Sequence, residues 1–146
     1  NAAQLAQNQE AIRQRGAAVG FTFANQDKRR IYNTFDAHRL LHWAEAAGRQ
    51  HALKRALLVA YFTDGRDVSD HEVLADVAGS VGLDVVEARA VLASDRYAED
   101  VRGDEQFFLR AGVRSVPAVI VNRQHLISGG QPTQVFEQAL RQIAGS

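Results

Sequence analysis

Apolar residues recur at helical spacing through most of this chain and give way, near its end, to two short apolar runs separated by turn residues. The helical text predicts a helix from Ala2 to Arg15 stopped by Gly16, and an irregular connector from Gly20 to Arg30. A helix from Thr34 to Ala47 follows, capped by Asn33 or Thr34 and ended by Gly48. Next comes Gln50 to Thr63, broken at Asp64-Gly65. Ser69-Asp70-His71-Glu72 predicts a capping box, Ser69 and Glu72 satisfying each other's free backbone donors, on a helix ending at Gly82. Asp84 with Glu87 repeats that arrangement on a helix ending near Ser94. Asp95 or Arg96 starts another, running to Arg110 and closed by Gly112. The pattern then changes. Pro117 stands at the head of Ala118-Val119-Ile120-Val121, Asn122-Arg123-Gln124 reads as a turn, and His125 to Ser128 as a second strand. Val135, Phe136, Ala139, Leu140 and Ile143 form the apolar face of a last helix, opened by Pro132 in its first turn.

The chain therefore divides into a helical part, residues 1–112, and a strand–strand–helix part, residues 113–146. Two strands make one hairpin, and an isolated hairpin is marginal in water. Its faces need further strands, from a missing segment or from another chain. The text begins Asn1-Ala2-Ala3-Gln4 inside what reads as a helix, and it contains neither Met nor Cys. The expectation is a piece of a longer protein.

Composition adds mostly exclusions. With 146 residues, 46% of them hydrophobic, the chain can bury a core. Seventeen basic and 17 acidic residues cancel, so there is no electrostatic footprint for nucleic acid or an anionic membrane. The basic spots at Arg13 to Arg15 and Lys28-Arg29-Arg30 read as solvated surface. No apolar run reaches membrane-spanning length, and no signal peptide is visible. The absence of Cys excludes disulfides in this stretch and fits a cytoplasmic setting.

Several residues could carry chemistry. Proline fixes φ and lacks an N–H, so Pro117 suits the first residue of a strand. His38 and His42 lie one helical turn apart and could chelate, but zinc wants three or four protein ligands and no others are in place, so no metal site is expected. Phe35, Leu40 and Trp43 form an apolar stripe that reads as core or as a groove wall. Asn33 is a helix cap that could also face a site, with His38 and Arg39 nearby. Gly129-Gly130-Gln131 precedes a helix N-terminus, where free N–H groups suit an anion, although Gly-Gly there is commonly only a tight turn. Asp64-Gly65-Arg66-Asp67 reads as a turn.

The order proline, strand, tight turn, strand, Gly-Gly, helix resembles the C-terminal half of a thioredoxin fold. The stretches from Ile31 to Ala44 and from Phe62 to Asp70 are similar to the DsbA-like thioredoxin-fold oxidoreductases of the FrnE type. That family also contains the 2-hydroxychromene-2-carboxylate isomerases and the kappa-class glutathione transferases. The resemblance implies an α/β thioredoxin fold with an inserted all-helical subdomain that walls a substrate groove. It implies thiol–disulfide exchange by a Cys-x-x-Cys motif that this chain lacks, together with the family's N-terminal βαβ part. No catalytic residue is then expected here. Ser115, Val116 and Pro117, with a cis Val116–Pro117 bond, would bind substrate, aided by Asn33 and His38. Gly129, Gly130 and Gln131 would hold glutathione if it is a substrate. No cofactor is implied. The expected partner is a protein or small thiol or disulfide, with a homodimer also in view. One alternative is a glutathione-dependent transferase or isomerase with Ser in place of Cys. Another is a non-catalytic binding or dimerisation module, whose groove beside Pro117 would be filled by the chain's own side chains.

Overall fold

The computed structural model describes residues 2–24 and 30–145. Their helices are α1 (Ala2–Ala18), α2 (Phe35–Ala46), α3 (Gln50–Phe62), α4 (His71–Ser80), α5 (Val85–Leu92), α6 (Ala98–Arg110) and α7 (Thr133–Ala144). Two strands, β1 (Ala118–Val121) and β2 (His125–Ser128), separate the last two helices. The chain forms two compact units, residues 1–101 and 102–146. The Gly20 to Arg30 connector and the Lys28-Arg29-Arg30 spot lie partly outside the described residues.

In the first unit, α2 meets α3, α3 meets α4, α4 meets α5, and α5 returns to α2. This closed ring of four helices encloses Leu40, Leu53, Leu74 and Val91, all completely buried. Trp43 and Tyr61 pack against the same core from its edge. The ends of the ring helices are held locally. Asp70 accepts hydrogen bonds from the Glu72 and Val73 amides, and Asp84 from those of Val86 and Glu87. The expected capping box is thus displaced by one residue. Ser69 turns back to donate to Asp67 at 2.5 Å, and the Glu72 carboxylate leaves its own helix end to pair with Arg89. Glu87 likewise pairs with Arg96. Extended backbone at Asp70 (φ −80°, ψ 125°) makes it the cap residue and aims its carboxylate at the first turn.

Gly16 does not stop α1, which continues through it to Ala18. Here glycine answers a close approach. A Cβ at this position would lie 2.5 Å from the Phe23 ring and 2.9 Å from the Phe21 carbonyl oxygen. Residues 21–24 run back along the end of α3, with the Ala24 amide donating to the Phe62 carbonyl at 2.8 Å. The Thr63 hydroxyl donates to the Thr22 carbonyl at 2.6 Å. The helix expected to start at Asp95 or Arg96 starts instead at Ala98, because Tyr97 adopts a positive φ of 63°.

The second unit holds α6 from residue 102 onward, the hairpin and α7. The strands are antiparallel, with Ala118 opposite Ser128 and Val121 opposite His125. Asn122 and Arg123 both have positive φ, 52° and 60°, and the Gln124 amide donates to the Val121 carbonyl at 3.1 Å. Two successive left-handed residues are the signature of a type I′ turn, whose twist matches that of the strands. Pro132 is the N-cap of α7, not its first helical residue.

Candidate functional site

The expected site residues fall into two groups, one in each unit. In the second unit, Ser115, Val116 and Pro117 form the bend that leads into β1. The Val116–Pro117 bond is cis. Val116 is 86% exposed, and its backbone N–H and C=O make no hydrogen bond with another described residue. The next carbonyl, that of Pro117, accepts from the Gly129 amide at 2.8 Å. That bond brings the proline loop and the Gly129-Gly130-Gln131 segment side by side. Gly129 has φ 83°, which a side chain would strain, and the Gln131 side chain donates to the Ser128 carbonyl at 2.9 Å. The loop thus presents one residue with free backbone donor and acceptor beside a glycine turn. Chemically, this is an edge on which an extended chain can pair.

In the first unit, Asn33 and His38 lie at the start of α2. The Asn33 side-chain oxygen accepts from the Phe35 amide at 2.9 Å, so it supplies the cap while Thr34, at the N-cap position, makes no side-chain bond. Both Asn33 and His38 are exposed, and His42 one turn later is half-buried. Among the described residues, no three acidic or histidine side chains gather as metal ligands.

The same helix start carries a charged cluster that sequence reasoning named only through Arg39. Arg39 is the one buried charged side chain among the described residues, 4% exposed. Its guanidinium donates to the carbonyls of Val91 (2.7 Å), Ser94 and Arg96 (2.9 Å), and to the Asp36 carboxylate at 2.8 Å. It therefore joins the Ser94 amide and hydroxyl at the Val91 carbonyl, reaches the carbonyls of Ser94 and Arg96 just beyond α5, and ties the end of that helix to α2. Asp36 also meets His71, the first residue of α4, at 2.8 Å. Partial burial pushes the Asp36 carboxyl upward, but the bonds from Arg39 and His71 outweigh it and hold the group below the usual carboxylate range. The signal in sequence was an arginine lying within Ala37-His38-Arg39-Leu40-Leu41, a stretch otherwise rich in core residues.

Comparison with known proteins places these features in a family. The family described as DSBA-like thioredoxin domain matches residues 1–141. The crystal structure of a probable DsbA oxidoreductase from Streptomyces coelicolor is similar over 100% of the chain, at 38% identity and a TM-score of 0.89. The chain spans 63% of the length of that protein.

Proposed function

The chain belongs to the DsbA-like thioredoxin-domain family and has its fold, mostly helical with a small antiparallel sheet; from this premise we propose that it serves thiol–disulfide exchange. Within the family we assign it to the FrnE type, on the stretches from Ile31 to Ala44 and from Phe62 to Asp70. The nucleophile has to come from outside these 146 residues, which include no Cys. In the reaction, a thiolate attacks one sulfur of a substrate disulfide. The S–S bond breaks, a mixed disulfide forms, and the other substrate sulfur leaves as a thiolate that takes a proton. A second thiolate then attacks the mixed disulfide, releasing the reduced substrate and leaving the enzyme oxidised.

The observation that carries this reading is the backbone of Val116 at the head of β1, exposed and without a hydrogen-bond partner among the described residues. An extended substrate can pair with it and so present its sulfur at a fixed position. Ser115 and Pro117 frame that edge. The protein as a whole would carry further strands to cover the hairpin, whose two strands alone are marginal.

Insulin-disulfide reduction tests the proposal. The 146-residue chain is expected to show no turnover above buffer, and the gene product extended over the part that its relative has and this chain lacks is expected to be active. Turnover by the thiol-free chain, or none by the extended protein, would overturn it.

A further inference from the structure

The bend into β1 lies in a stretch of chain with one sign of charge. Between Glu105 and Glu137 the sequence carries Arg110, Arg114 and Arg123 and no carboxylate. Glu137 is itself engaged on α7, where it accepts from Arg141 at 2.8 Å. Arg110, Arg114 and Arg123 are all exposed. None of the three has a side-chain hydrogen bond or ion pair with a described residue. Arg123 sits in the turn that closes the far end of the hairpin, whereas Arg114 stands two residues before Val116.

That spacing decides what Arg114 can reach. Two trans-peptide steps put its Cα within about 7.6 Å of that of Val116. An extended segment paired with the Val116 N–H and C=O advances about 3.4 Å per residue. Its positions two residues from the one facing Val116 are then within reach of a side chain as long as arginine. A carboxylate there accepts charge-assisted hydrogen bonds, two at once from the planar guanidinium. A lysine there meets like charge, and a neutral side chain gains nothing from the charge. We propose that Arg114 is a specificity-determining residue of this edge, selecting disulfides that lie in acidic peptide segments. The proposal rests on the disulfide-exchange reading and adds to it the class of substrate.

Three peptide disulfides, identical except for Glu, Gln or Lys two residues to either side of the cysteine, test it. The enzyme is the gene product extended over the part that its relative has and this chain lacks. At low salt kcat/KM should fall in the order Glu, Gln, Lys, by about threefold per step, the effect of an exposed ion pair. The order should fade in about 1 M salt, where screening is short-ranged. Arg114→Gln should bring the three rates together, and Arg114→Glu should reverse their order. Arg123→Gln removes the same charge at the other end of the hairpin and should leave the order standing. Equal rates in the parent, or an order that Arg114→Glu does not reverse, would overturn the proposal. So would an order that Arg123→Gln erases as fully as Arg114→Gln, because overall charge would then be its cause. In each of these outcomes, turnover of the Gln peptide leaves the exchange reading intact. No turnover of any of the three would overturn that reading and this proposal with it.

Discussion

The two units use similar apolar text to different effect. Every buried hydrophobic side chain among the described residues lies between Ala37 and Val101. In the hairpin and α7, the residues that should be core remain open: Val119 is 40% exposed, Ile120 38%, Leu126 39% and Leu140 49%. The difference is one of layers. An amphipathic element buries its face only against another element. The four ring helices α2 to α5 each have two neighbours, whereas in the second unit a two-stranded sheet, α7 and the part of α6 from residue 102 bury no hydrophobic side chain among the described residues. Periodicity alone specifies helices and strands in both units, but it does not supply the second layer.

Arginine gives the largest contrast. Arg39 satisfies three carbonyls and a carboxylate from a buried position. Arg141, on α7, bonds Glu137 at 2.8 Å with its side chain 77% exposed. Replacing the first with Met should cost about 3–5 kcal/mol, because the Ser94 and Arg96 carbonyls and the half-buried Asp36 carboxylate lose a charged donor together. The same change at Arg141 should cost about 0.3–0.5 kcal/mol, the worth of an exposed helix pair. Urea denaturation of both variants measures the gap. Equal losses would mean that water replaces the guanidinium at the end of α5, and the ring would then not depend on this clamp.

Leucine sharpens the same comparison with less at stake. Leu74 is completely buried and Leu140 is 49% exposed. Leu74→Ala should lose about 2–5 kcal/mol, combining transfer and cavity terms. Leu140→Ala should stay within about 0.5 kcal/mol, as for an ordinary surface change. If Leu140→Ala instead approached the cost of Leu74→Ala in the 146-residue chain, α7 would be covered in solution by something this structure does not include. A second copy pairing along the hairpin edge is one such cover, and sedimentation of the same samples would reveal it.

Much of this was legible from sequence, for identifiable reasons. The hairpin limits, the helix stops at Gly48, Gly65, Gly82 and Gly112, and the Asp84 cap follow from local chemistry, which sequence records directly. Each of those glycines has a positive φ. What escaped depends on distant neighbours. Gly16 looks like a helix stop until Phe23 folds back onto it. Ser69 looks like a cap until Asp67 takes its hydroxyl and Asp70 takes its place. Arg39 looked like a site residue because nothing local says that the end of α5 will stand beside it. Of the candidate site, sequence located the Ser115-Val116-Pro117 loop and its neighbouring glycines. The Asp36–His71 contact joins residues 35 apart in sequence, a pairing no spacing rule anticipates.

The smallest effect expected is one of pH, and it belongs to the first unit alone. Asp36 is partly shielded, its side chain 30% exposed, and its carboxyl is held below the ordinary value by Arg39 and His71. Unfolding releases the group to the ordinary carboxylate value near ~3.9. A pKa lower in the folded state means that the unfolded chain binds the proton more readily. The resulting stability is therefore present above about pH 4 and is lost as pH falls through the folded value. Asp36→Asn cannot ionise, so the stability gap between parent and variant should hold at about pH 5 and shrink toward about pH 2.5. Urea midpoints at the two pH values measure it, with Glu137→Gln on α7 as the exposed control whose gap should hardly move. A gap for Asp36→Asn that stays constant across this range would show that the carboxylate owes nothing to its two partners, and that the junction of α2 with α4 is held by packing.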